Sequence, residues 1–222
     1  MRIFFALVLF ALSEVSFAAE KFSALTSELG SAKEQYLRGK FDNALATLDR
    51  SDKSSGATVE SLDLRGCIYL EQGKLDEAAK AFEAAHFANF DAFAPGIHFA
   101  DTLLRQKKFE DALKEYEKLM AVRMPMFPEY ARFGVFLAYM GEHHEDDARR
   151  ALATIVFPTE TPAYYYAQAV WAFAHGKKSE ALNWTGSAKK IFDSNKTAWF
   201  DRALYQSGWL KKKPAPVIDP FF

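Results

Sequence analysis

The feature that most constrains this chain is a recurrence at intervals of 34 residues. Gly66-Cys67-Ile68-Tyr69, then Gly73-Lys74-Leu75-Asp76-Glu77-Ala78, then Phe82, correspond to Ala100-Asp101-Thr102-Leu103, Lys107-Lys108-Phe109-Glu110-Asp111-Ala112 and Tyr116. One step back falls on Ala32, Gly39, Phe41, Ala44 and Leu48, and one step forward on Gly134, Leu137 and Gly141. A further step of 35 reaches Ala169 and Gly176, with Ala181 after them. A fixed period of this length means stacked copies of one small unit, because no single copy can bury its own apolar face.

The residue types within the period predict what the unit is. Small residues at Ala32, Gly66, Ala100, Gly134 and Ala169 suit the point where a second helix crosses the first. Ala44, Ala78, Ala112 and Ala181 are their counterparts on the second helix. Large residues one turn later, Leu48, Phe82 and Tyr116, fill the space between units. Gly39, Gly73, Gly141 and Gly176 permit the left-handed conformation that ends a helix. Acids at Asp76-Glu77 and Glu110-Asp111 favour the positive end of the second helix. Pro95, Pro125, Pro128, Pro158 and Pro162 fall at joints, where a helix can begin without losing a hydrogen bond.

With these residues in place, the chain resembles the tetratricopeptide repeat family over about residues 22 to 193, in five units. The implied fold is all-α: a right-handed superhelical array of about five helix-turn-helix units with a C-terminal capping helix. Some positions depart from the family pattern. Gln35 stands where an aromatic is preferred, and Lys178 where an apolar residue is. Ala148 arrives two residues late, which predicts a longer turn after Gly141.

The organisation expected is a signal peptide at 1–18, the array at 19–193, a capping helix at 194–210 and a proline-containing tail at 211–222. Arg2, ten apolar residues from Ile3 to Leu12, and Ser16-Phe17-Ala18 form a secretory signal pattern, with cleavage expected after Ala18. Ten residues are too few to span a bilayer. A periplasmic or secreted protein, with no integral membrane segment after cleavage, is therefore expected. The capping helix rests on the apolar stripe of Trp199, Phe200, Ala203 and Leu204.

Composition narrows the function. With 28 basic and 29 acidic residues the net charge is -1, which argues against a nucleic-acid partner. The single cysteine, Cys67, precludes an internal disulfide and a zinc site built from several cysteines. No nucleophile elbow, phosphate loop or paired-histidine zinc motif occurs, so no catalytic residue, cofactor or metal is expected. The cluster His143-His144-Glu145-Asp146-Asp147 reads as a solvated turn, since adjacent side chains on a helix diverge. Cys67 reads as inert.

The resemblance implies that the first helix of each unit lines a concave groove, and that the groove binds another protein or peptide. Carried over position by position, the groove residues are Lys33 and Tyr36; Asp63, Cys67 and Glu71; His98, Asp101 and Arg105; Arg132, Val135 and Tyr139; Tyr166, Val170 and Phe173. The carboxylate clamp of some family members is absent: Leu29 and Lys33 hold its first two positions, and 60–64 contains no asparagine. The function expected is a non-enzymatic interaction scaffold or adaptor. Two other readings stand beside it. One is an accessory protein binding a small molecule or metal at the aromatic end or at His143-His144. The other is self-association, with the end helix or tail of one copy in the groove of another. The segment 217–222 is a further candidate docking peptide.

Overall fold

The computed structural model describes residues 26–90, 92–121 and 127–216. The signal pattern and the 217–222 segment lie outside them. Among the described residues helices are the only regular secondary structure. Helix α1 runs over 26–37, followed by α2 Phe41–Ser55, α3 Val59–Glu71, α4 Leu75–Ala88, α5 Phe93–Arg105 and α6 Phe109–Met120. Then come α7 Phe127–Gly141, α8 Glu145–Ala153, α9 Ala163–Ala174, α10 Lys178–Ile191 and α11 Ser194–Gln206.

Five turns join the helix pairs, and they are the same turn. Gly39, Gly73, Lys107, His143 and Gly176 all take φ between 60° and 76°. Each donates its N–H three residues back, and the following residue donates five back, as in Gly73 to Leu70 and Lys74 to Tyr69. That pair of bonds satisfies carbonyls the helix end would otherwise leave exposed. Each left-handed residue lies five positions before the buried alanine of the second helix: Ala44, Ala78, Ala112, Ala148, Ala181.

This register corrects the expectation for the fourth unit. His143, not Gly141, is its left-handed residue. The turn is no longer than the others. The two extra residues lie in the first helix, where α7 has 15 residues against 13 in α3 and α5. Counting back from the turn, Phe136 occupies the register of Gly66 and Ala100. Gly134 does a different job: a β-carbon there would lie 2.3 Å from the ring of Tyr116, so the glycine seats that ring between units.

Successive units are tied by apolar and polar contacts alike. Within the second unit Phe82 packs over Gly66, where a β-carbon would sit 2.5 Å from its ring, and between units Tyr116 packs on Gly134 in the same way. Gln72 donates to Asp42 at 3.1 Å, and Gln106 repeats the bond to Asp76 at 2.7 Å, one period later. Arg65 on α3 bridges Asp49 and Asp52 on α2, both at 2.8 Å. Thr58 and Ser61 form a reciprocal cap at the start of α3. Pro95 and Pro128 lie in the first turns of α5 and α7, and Pro162 caps α9.

Helices α3, α5, α7, α9 and α11 each contact the next in that order, making one continuous inner wall. The second helices, α2 to α10, stack outside it. The array is thus a superhelix of helix pairs.

Candidate partner-binding face

Of the expected groove residues, Lys33 and Tyr36 lie on α1 and the others on the inner wall, and the last helix lies over much of that wall. The stripe on α11 must be buried, and the aromatic floor of the groove is where it goes. Phe200 has its ring centroid 5.0 Å from Tyr130, 5.1 Å from Phe133 and 5.1 Å from Tyr166. Trp199 meets Tyr130 edge-on at 5.1 Å. Burying side chains of this size contributes about 1.5–3 kcal/mol each.

Polar contacts extend the seam back to the start of the array. Arg202 donates to the Tyr36 hydroxyl at 3.4 Å and pairs with Glu71 at 3.4 Å. Lys213, beyond the helix, pairs with Glu71 at 2.9 Å. Tyr166 donates to Asp201 at 2.7 Å, and Lys189 meets the other oxygen of Asp201 at 2.8 Å. Phe173 stacks on Trp209, centroids 5.9 Å apart and planes 13° apart.

The fate of each expected groove residue follows. Tyr36, Asp63, His98, Tyr166, Cys67 and Val170 are buried, so they do not stand open to a partner. His98 Nδ1 lies 2.8 Å from Asp63 Oδ1, joining the second unit to the third. Glu71 is enclosed by Arg202 and Lys213. Asp101 accepts a 2.6 Å bond from Tyr116. Lys33, Arg105, Arg132, Val135, Tyr139 and Phe173 are half-buried and form what remains of the open face. Burial raises the phenols of Tyr36, Tyr116 and Tyr166 above the ordinary tyrosine range, with Asp101 and Asp201 adding to it for the last two.

Beside the C-terminal end of α11 lies a cavity of about 430 Å³, bounded by Asp101, Arg105, Met140, His143, Gln206 and Trp209 among others. Arg105 Nη1 is buried there with no hydrogen-bond partner, and burial lowers the guanidinium pKa. His143 and His144 are exposed; His144 lies 3.5 Å from Glu142 and, among the described residues, gathers no further ligand.

A second surface was not singled out from the sequence. Phe87, Phe90, Val156, Phe157 and Ile191 are between 59% and 65% exposed. All lie at the ends of second helices or in the loops that follow, on the joints between units. Phe87 and Phe90 meet edge-on at 5.3 Å. Glu129 of α7 accepts bonds from the Thr159 and Thr161 hydroxyls, both 2.5 Å, and so anchors the loop that presents Val156 and Phe157. The signal was available: Phe157 and Ile191 are one period apart. No helix among the described residues is long and apolar enough to cross a membrane.

Paired helices, a shared turn and a continuous inner wall define an α-solenoid of interaction-module type. Residues 18–97 match the family model described as a tetratricopeptide repeat-like domain. The fold of the described residues as a whole is that of a tetratricopeptide-repeat array. No curated protein matches it. Solved structures similar to it include a thermophilic TPR protein from Thermus thermophilus, with 18% identity, 82% of this chain and 99% of that one covered, and a TM-score of 0.62. A MamA RS-1 double mutant has 18% identity, 75% and 97% covered, and a TM-score of 0.59. PilW, a widely conserved type IV pilus biogenesis factor, has 16% identity, 84% and 87% covered, and a TM-score of 0.59. At these identities the likeness concerns the fold.

Proposed function

We propose that this chain is a non-enzymatic scaffold that holds a partner protein in the periplasm or the secreted space. The observation that carries it is the exposed apolar side chains at three of the joints that follow second helices: Phe87 with Phe90, Val156 with Phe157, and Ile191. Large apolar side chains exposed next to one another, as Phe87 and Phe90 are, mark interaction surfaces in proteins that otherwise keep them covered. The half-buried residues Arg132, Tyr139 and Phe173 of the inner wall, with Lys33 on α1, supply a second contact region. The export pattern at the N-terminus supports the location, and PilW is a neighbour in fold that serves pilus biogenesis.

The test is capture from a native envelope or secretome extract, with residues 19–222 as bait. A Phe87→Ser/Phe157→Ser variant and a Tyr139→Ala variant run alongside, each checked for an unchanged unfolding midpoint. A partner lost only by the first places binding on the joints. Loss only by the second places it on the inner wall. A partner held equally by all three overturns both placements, and no captured protein overturns the scaffold reading.

A second reading rests on Arg105. A buried guanidinium nitrogen without a partner, beside a cavity of this size, suits a small anionic molecule with an apolar body. Saturable binding of such a molecule, abolished by Arg105→Gln, would favour it.

A further inference from the structure

We propose that Asp63, Cys67 and His98 form a binding site for a divalent cation of the zinc class, tying the second repeat to the third. Asp63 and Cys67 are four residues apart on α3 and so share one face of that helix. His98 comes from α5, the first helix of the next unit. The ligating atoms of the three side chains all lie within 4.8 Å of one another. Asp63 Oδ1 and His98 Nδ1 are 2.8 Å apart. Zinc bonds of about 2.0 Å to nitrogen or oxygen and about 2.3 Å to sulfur put tetrahedral ligands roughly 3.3–3.6 Å apart. The distances here bracket that range, so small side-chain rotations suffice to close on an ion.

The donor set decides which ion. A thiolate excludes the hard cations calcium and magnesium, which take oxygen ligands. Thiolate, imidazole and carboxylate together match zinc. Their charges match as well: an ionised Asp63 and an ionised Cys67 balance a dication, and His98 binds as the neutral ring. On binding, the Cys67 S–H proton leaves to solvent, so affinity falls as pH falls. Three protein ligands leave a fourth position for water or an incoming group.

The surroundings are those of a rigid, dry site. Asp63, Cys67 and His98 are 2%, 4% and 5% exposed. The Phe82 ring lies 5.1 Å from the His98 ring and forms one wall. Leu64, Ile68 and Ile97 beside them are fully buried, so the polar residues interrupt an otherwise apolar seam. A seam filled with aliphatic side chains would hold the two units together at less desolvation cost than a carboxylate and an imidazole. Tyr36 and Arg202 couple electrostatically to Cys67 from the groove side, and Arg202 is in turn paired with Glu71, which offsets its repulsion of a cation.

The experiment titrates metal-stripped full-length protein with cobalt(II), then with zinc. The expected result is a near-ultraviolet thiolate-to-cobalt absorption with the strong visible bands of a tetrahedral ion, both erased by zinc, and a rise in the unfolding midpoint with zinc. Cys67→Ser should lose the near-ultraviolet band, whereas His143→Ala/His144→Ala should keep it. On the unmutated chain, where misfolding is not an issue, zinc should slow alkylation of Cys67. Three outcomes would overturn the proposal. They are no near-ultraviolet band in the unmutated protein, a band unchanged in Cys67→Ser, or cobalt bound without any sulfur signature.

Discussion

The guanidinium of Arg202 reaches the hydroxyl of Tyr36, 166 positions earlier in the chain, at 3.4 Å. The same guanidinium pairs with Glu71, whose side chain is 5% exposed. Replacing it by alanine removes both contacts and leaves Glu71 with Lys213 alone. Arg202→Ala should therefore cost about 1–3 kcal/mol, the penalty for an under-paired buried polar group. Urea denaturation checks it. Combining Arg202→Met with Glu71→Leu should recover much of the loss, because neither charge is then left buried. Equal midpoints for Arg202→Ala and the native chain would show that the seam is held by the aromatic contacts alone.

Lys107 and His143 stand where three other units have glycine. A side chain in the left-handed region costs about 1–2 kcal/mol. Lys107→Gly should raise the unfolding free energy by about 1 kcal/mol, and Gly73→Ala should lower it by a similar amount. Chemical denaturation of the two variants reads both signs at once.

Two helical glycines should answer to alanine in opposite ways. Gly134→Ala sets a methyl group 2.3 Å from a Tyr116 ring atom, and that ring is held by its bond to Asp101. The overpacking should cost about 1–3 kcal/mol. Gly186, within α10, has nothing within 4 Å of a β-carbon. Gly186→Ala should gain about 0.5–1 kcal/mol from the helix alone. Thermal unfolding of the pair, measured side by side, tests the packing directly.

Alkaline titration should divide the nine tyrosines. Tyr36, Tyr116 and Tyr166 have folded pKa values raised by burial, so the folded chain holds their protons where the unfolded chain gives them up. Their contribution is complete below the unfolded value of about 10. Above that pH, stability should fall by about 1.4 kcal/mol per tyrosine per pH unit. In a 295 nm absorbance titration these three should ionise only with unfolding. A reversible titration of all nine while the helical signal persists would contradict the burial.

The repeat was legible because its determinants are local. Ala44, Ala78 and Ala112 announce a close crossing whatever surrounds them, and the turns follow from the glycines. The fourth unit misled because Gly134 and Gly141 keep the 34-residue step while the turn beside them does not. His143 accepts a conformation that residue type gave no reason to expect. The cover over the groove was harder still. Trp199 and Phe200 say that α11 must be buried, but a stripe does not name the surface it seeks. Only the assembled floor of Tyr130, Phe133 and Tyr166 does that. So Tyr36 and Tyr166, assigned to the groove by resemblance, lie inside the molecule. The apolar joints were overlooked because a single phenylalanine in a loop carries no pattern until the loops are known to lie alike in successive units.

The seam between α11 and the first two units changes what kind of object the array is. In an open stack each unit feels only its neighbours, so either end can peel away while the rest stays intact. Here the last helix grips Tyr36 and Glu71, and the row of units becomes a clasped bracelet. Opening the clasp exposes the aromatic floor at one end and strands Glu71 at the other. Loss of the first unit is thereby tied to loss of the last, and a molecule built from interchangeable parts should melt as one.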